Sequence, residues 1–437
     1  MFARRLATRL LPLVLALSLG LAGQVAAAVP AGASTAVAAA PPSSGTAAII
    51  AWNNIALNSV VTVANQNPAA AIVSIGFVQA AVYDAVVAIE GGYQPYQYSL
   101  TPRHPDASVE AAVAAAAHDV LVHNFPTQQA ALDADLAASL AAVPDGAAKT
   151  DGLAIGRASA ASFIASRQGD GFGANIGFTM PAPAIGVFQL PAGQLPAVPW
   201  LSQLRPLMLN SPDQFRPDGP PALDSLEYAL SYNESKYFGG ANSPYRNAEQ
   251  TDTALFWTSS AAVQYNVAYQ GLATSRGLSP VQAARLFAMT NMTSADALIA
   301  CFDAKYTYLA WRPQFAIPQG DADGNPFTTG DPTWKPLAPT PAHPEYPSAH
   351  GCGSEGQIYA LVAFLGTSNI NLDITATVPN LLHPTRHYQT ASQLIYEIGN
   401  ARVWGGMHFR FSVNAGVRLG QRVSVWVMQR YFQRVWN

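Results

Sequence analysis

Charge is scarce in this chain. Only 11% of its 437 residues are charged, and the formal net charge is −3 with both signs scattered. A general nucleic-acid binder needs a concentrated basic surface, so that class is excluded. A small anion site is not, because a few cations in one pocket barely alter the total. Intrinsic disorder is excluded from the other direction, since half of the residues are apolar. Cysteine is nearly absent. Cys301 and Cys352 cannot form a tetrahedral zinc site without histidines at finger-like spacing, and none stand there. The pair is left as either a disulfide or two buried thiols. Strand-like alternation is also scarce, and no internal repeat of fixed period stands out.

What is present is helical periodicity. Arg4, Arg5 and Arg9 precede an apolar run from Leu10 to Ala22, and small residues follow around Ala26 and Ala28. That order reads as a secretory signal over 1–28 and predicts a secreted protein. The run falls short of the ~20 residues of a membrane span, so no stable span is expected. Residues 29–47 read as a flexible linker. Apolar spacing near 3.6 then predicts helices over 69–91, 107–124, 128–142 and 152–167. A stretch rich in proline and glycine over 172–222 reads as an irregular crossing. Further helices are predicted over 249–276, 280–312, 350–366, 389–404 and 413–433. The fold class is therefore all-α: two packed helical bundles, 48–222 and 223–437, with long irregular connections.

Three segments concentrate chemistry. Lysine occurs only at 149, 236, 305 and 335, and Lys305 lies seven residues before Arg312. Two helical turns would put both cations on one face, with Pro313 ending the helix. In Pro344-Glu345-Tyr346-Pro347-Ser348-Ala349-His350-Gly351, Ser348 stands at the expected start of a helix, whose free N–H groups suit an anion. The spacing Gly351, Gly353, Gly356 follows a proline-rich loop rather than a strand, so it fails as a dinucleotide fingerprint. In Arg402-Val403-Trp404-Gly405-Gly406-Met407-His408, the glycines permit a sharp turn, and Ser412 reads as the N-cap of the last helix. Each segment alone has an ordinary structural explanation. Together they supply three cations, a hydroxyl, backbone amides and two imidazoles, the donor set that a tetrahedral oxyanion requires.

Over 305–412 these segments resemble the signature of vanadium-dependent haloperoxidases, within the superfamily of type 2 phosphatidic acid phosphatases. Ala80-Ala81-Val82-Tyr83-Asp84-Ala85 in the first bundle is compatible with the larger bacterial members. The resemblance implies that Lys305, Arg312 and Arg402 hold vanadate oxygens, with Ser348 and the amides of Ala349 and Gly406 donating to it. Phosphate can occupy the same place. His408 would be the metal ligand, and His350 the general acid–base. The partners would be hydrogen peroxide and a halide, or a phosphate ester if the chain is an acid phosphatase working through a phosphohistidine. A third expectation is an oxyanion-binding protein without turnover. Two positions depart from the pattern: Ala349 replaces glycine, and Ser412 replaces the aspartate that would orient His408. Glu249 and Asp252 are candidates for a compensating carboxylate. His343 and Phe302 are candidates for the substrate side, though more often such residues only pack. His383 and His387 read as loop residues, and Asp321-x-Asp323-Gly324-Asn325 as a turn rather than a calcium loop.

Overall fold

A computed structural model describes residues 43–435. The expected signal segment and most of the linker lie outside them. The chain begins with α1 (Ser44–Leu57), capped by Ser43, and continues into a single π-helical turn at Asn58–Val63. The last linker residues, 44–47, are therefore helical. Helices α2 (Pro68–Glu90), α3 (Val109–Asn124), α4 (Gln129–Ala141) and α5 (Ala147–Ser166) follow close to their predicted positions. After the irregular crossing come α6 (Leu226–Gly239), α7 (Ala248–Phe256), α8 (Ala261–Ser275) and α9 (Pro280–Tyr308). Next are the short α10 (Pro313–Ala316) and α11 (Ala349–Leu365). An antiparallel pair, β1 (Asn369–Thr375) and β2 (Thr385–Thr390), precedes α12 (Ala391–Trp404) and α13 (Arg410–Arg430).

The centre is α2 against α9. Asn67 caps α2 and Pro68 occupies its first turn, while Gly91 at φ +70 ends it. Its residues from Ala69 to Ile89 are all buried, as expected for a helix apolar on every side. Ser44–Val63 and Pro68–Glu90 both have the length and apolarity of a membrane span, but 94% of the second window is enclosed by the fold. One apolar cluster runs from Ile49 to Phe432, so the two predicted bundles share a core. A smaller cluster includes Tyr228, Tyr232, Trp311, Trp334, Tyr346, Phe409 and Phe411.

Two buried aspartates fasten long loops to these helices. Asp84 on α2 accepts the amides of Tyr96, Gln97 and Tyr98 at 2.6, 2.6 and 2.8 Å. Asp296 on α9 does the same for Leu207, Met208 and Leu209 at 2.7, 2.7 and 3.0 Å. Burial pushes both carboxyls up to about 6, opposed by the three amides each one accepts. The crossing segment is thus irregular yet fixed, because its backbone donors are satisfied by a side chain instead of a ladder.

Several expectations need correction. The predicted helix over 249–276 is two, broken at Trp257–Ser260. Helix α9 ends at Tyr308, where Leu309 takes a left-handed φ of 49°, so Lys305 and Arg312 do not share a helical face. Arg312 is extended at φ −92°, ψ 157°, the region favoured for a residue before proline. Ser412 is not the cap of α13; Phe409 is. Helix α6 was not expected, nor was the small sheet, although Asn369–Thr375 alternates exposed and buried residues throughout. His387 lies on β2 rather than in a loop and pairs with Asp373 at 2.7 Å. His383 is in the loop before that strand, as expected. The Asp321–Asn325 stretch is a turn, with Asp323 accepting the Asn325 amide at 2.9 Å. Both cysteines are free and buried, and Cys301 donates to the Pro347 carbonyl at 3.6 Å.

Replacing Asp296 by Asn leaves one carbonyl oxygen for three amides in a dry setting. The expected outcome is a loss of about 2–3 kcal/mol in unfolding free energy, measured by urea denaturation.

Candidate active site

The proline-rich loop ahead of α11 delivers the first part of the site. Ser348 caps the helix, accepting the Gly351 amide at 3.5 Å, while its own N–H donates to Ser412 O at 3.1 Å. The amides of Ala349 and His350 lie in the first turn, where helix geometry provides no acceptor. Helix α13 lies hard against this end, and a Cβ on Gly416 would come within 2.6 Å of Ser348 O. Glycine there is what lets the two helices meet.

Three cations converge on the same region, all buried. Lys305 Nζ donates to the carbonyls of Pro344 and Glu345 at 2.8 and 3.0 Å. Arg312 donates to His343 O at 3.0 Å and Met407 O at 2.8 Å, and to rings of His408 and His343 at 3.1 and 3.0 Å. Arg402 reaches the Trp257 carbonyl at 2.8 Å and Met407 Sδ at 2.9 Å, and its Nε has no partner. The Trp257 indole donates in turn to Glu397 at 3.0 Å, which holds that carbonyl in place. Loss of hydration lowers Lys305 to about 8, Arg312 to about 10 and Arg402 to about 9.

One carboxylate answers them. Glu345 Oε1 sits 2.9 Å from His408 Nδ1 and accepts the Phe409 amide at 3.0 Å. Its Oε2 has no partner. Burial pushes Glu345 up to about 7, against the pull of Arg312. His408 lies well below the usual imidazole value, first through burial and then through Arg312, Lys305 and Arg402. A guanidinium only donates, so His408 Nε2 facing Arg312 is the acceptor and Nδ1 carries the proton toward Glu345. Ser412 Oγ stands 3.5 Å from Nδ1 and donates to the Glu345 carbonyl at 3.2 Å. The orienting carboxylate missing at 412 is thus supplied from the loop before α11.

The predicted set is otherwise brought together, with two amendments. Gly406 takes φ +72°, and a Cβ there would collide with the Gly239 carbonyl, so the turn requires glycine. Its amide, however, already donates to Val403 O at 2.9 Å and is spent within the turn. Glu249 and Asp252 are not at the site. They pair with Arg386 at 3.0 and 2.7 Å. The Phe302 ring packs on His343 at 5.0 Å between centroids. Glu345 stood in the quoted motif unassigned, although it is the one acid in that loop and is flanked by prolines two positions away on one side and one on the other.

His343, Ala349, His350, Arg402 and His408 open onto one cavity of about 460 Å³, whose far wall is built by Val61–Ile72 and Trp257–Ala261. His350 is half-buried, Nε2 has no partner, and burial followed by the three cations holds it well below the usual imidazole value.

Residues 285–437 match the family model described as the VCPO second helical-bundle domain. The match covers about the last third of the chain. The fold as a whole is similar to a structure described as the first bacterial vanadium-dependent iodoperoxidase. That match has a TM-score of 0.71 and 19% identity, covering 89% of this chain and 96% of that one. The apo form of a bacterial vanadium-dependent chloroperoxidase matches with a TM-score of 0.64 and 16% identity, over 82% and 92% of the two chains. The holo form gives 0.63 and 17%, over 83% and 93%. Identities this low establish a shared fold. Among curated proteins, none matches by sequence. The matched segment contains every candidate position from Lys305 to Ser412.

Glu345→Gln is expected to raise the dissociation constant for molybdate, a tetrahedral dianion, by about tenfold in titration calorimetry. Adding Ser412→Asp should recover most of the loss by returning a carboxylate to His408 Nδ1. The same titration carries a pH signature. Lys305 loses its proton near pH 8 in the free protein, so molybdate affinity should fall as pH rises through about 8, and Lys305→Met should flatten that limb.

Proposed function

We propose that this protein is a secreted vanadium-dependent haloperoxidase that oxidises a halide with hydrogen peroxide. The observation that carries the reading is a buried excess of positive charge around a histidine. Glu345 offsets Lys305 and Arg312, Arg402 has no acidic partner, and Arg402 Nε and His350 Nε2 lack partners altogether. A tetrahedral oxyanion fits that donor set, returning hydrogen bonds and charge to groups that burial has deprived of water. Lys305, Arg312, Arg402, Ser348 and the Ala349 amide would hold it, and His408 Nε2 would be the ligand atom. Vanadate bound there would supply a Lewis acid that activates peroxide without changing its oxidation state. The likeness to bacterial vanadium-dependent iodo- and chloroperoxidases supports this choice of oxyanion.

The chain's own groups have separate tasks. Glu345 fixes the His408 tautomer so that the Nε2 lone pair faces the cations. His350, neutral in the free site, can take a proton from hydrogen peroxide at Nε2. Ala349 keeps its amide, and its methyl group narrows the approach on that side.

With vanadate, peroxide and bromide, the protein should brominate an added phenol, and His408→Ala should abolish this while weakening vanadate binding by more than about 100-fold. Phosphate release from an ester without peroxide, inhibited by vanadate, would instead make it an acid phosphatase. Binding with neither activity would make it an oxyanion carrier. Unchanged vanadate affinity in Lys305→Ala, Arg402→Ala and His408→Ala would remove the site altogether.

A further inference from the structure

The cavity over His350 and His408 is larger than peroxide and a halide need. Each of those occupies one or two water volumes, together on the order of 100 Å³, against about 460 Å³ here. Its size instead falls among pockets for small organic molecules. Much of its lining is apolar, with Val61, Ile72, Leu298 and Pro341 among the residues that contribute. No aspartate or glutamate is among its lining residues, and the charged or titratable groups there are Arg402, His343, His350 and His408.

The wall from the first half of the chain is unusual in its backbone. The π-helical turn at Asn58–Val63 is followed at once by Asn65 with φ 45°. Both are costly departures from α-helix that persist only where surrounding structure enforces them, and π-turns recur at functional sites. Here Val61 from the π-turn and Asn65 both line the cavity before Asn67 caps α2. Gln66 is held in that wall by its Oε1, which accepts from Ser74 at 2.8 Å. Its NH2 is left to donate to an entering oxygen.

We propose that this cavity binds the organic acceptor of halogenation: a neutral aromatic of one ring with a single oxygen substituent, such as an alkylphenol, seated against Val61 and Ile72 beside His350. The proposal rests on the haloperoxidase reading for what happens next, but not for binding. Halogenation would then occur on a held ring, the halogen of the hypohalous species bonding to a ring carbon while the displaced ring proton leaves with its hydroxide as water, and not in bulk solution by released hypohalous acid. A cationic ligand is disfavoured, since the lining would set it against Arg402 with no carboxylate in reach.

The test uses the full chain without added vanadate. Titration calorimetry with 3-ethylphenol should show saturable binding, and 3-(2-aminoethyl)phenol, identical but for an ammonium, should bind at least about tenfold more weakly. Val61→Trp, at a half-buried position on the wall, should weaken 3-ethylphenol at least about tenfold while leaving molybdate binding unchanged. With vanadate, peroxide and bromide, the ortho-to-para product ratio should differ from that of reagent hypobromous acid, and Val61→Trp should move it toward the reagent's. No saturable binding, equal binding of the amine, or a Val61→Trp protein that binds as before would overturn the pocket. Bromination at full rate with the reagent's ratio would overturn it too, leaving the haloperoxidase reading intact. Saturable, amine-discriminating binding without bromination would sustain the pocket and remove the haloperoxidase reading.

Discussion

Three cations are held where water is almost wholly excluded, and Glu345 is the carboxylate that offsets Lys305 and Arg312. Much of the local architecture answers that imbalance. Carbonyls of His343, Pro344, Glu345, Met407 and Trp257 turn toward the cations, which is why the loops bearing them are irregular and closely packed. Such dipoles lower the cost of burying charge without neutralising it. The remaining attraction is for an anion, and the unpartnered Arg402 Nε shows that the protein's own groups do not exhaust the donors.

Glu345 does two things with one side chain. Its backbone carbonyl takes a bond from Lys305, and its carboxylate fixes the ring of His408. Movement of the loop before α11 therefore shifts a cation and an imidazole together. An aspartate at 412 would have tied His408 to the adjoining helix α13 instead. In this chain the histidine is tied to a different element, so its orientation reports on how α11 and α13 pack.

The long helices were legible because their periodicity is local. So was the site, since the three clusters of cation, hydroxyl and imidazole stand out in a chain so poor in charge. What escaped was whatever depended on distant partners. The end of α9 is set by one left-handed residue, Leu309, and no proline or glycine marks it. The orienting acid was sought at Glu249 and Asp252, which Arg386 from β2 claims, while Glu345 went unassigned because its contact with His408 spans 63 residues. That sheet itself was announced by the alternation in Asn369–Thr375, a signal lost among the helical segments around it. The crossing segment looked loose from its composition, yet Asp296 captures its backbone.

Helix α9 has a consequence for modularity. The family segment begins at residue 285, inside a helix that starts at Pro280 and runs to Tyr308, roughly 43 Å at the usual rise. Its flank rests on α2, and it bears both the clasp on the crossing segment and the lysine of the anion site. The inherited unit and the folding unit therefore do not coincide. Grafting the segment from 285 onward onto another first half would bring the chemistry along intact. It would also strip the supporting face from beneath it, so a working chimera would have to import the surface of α2 as well.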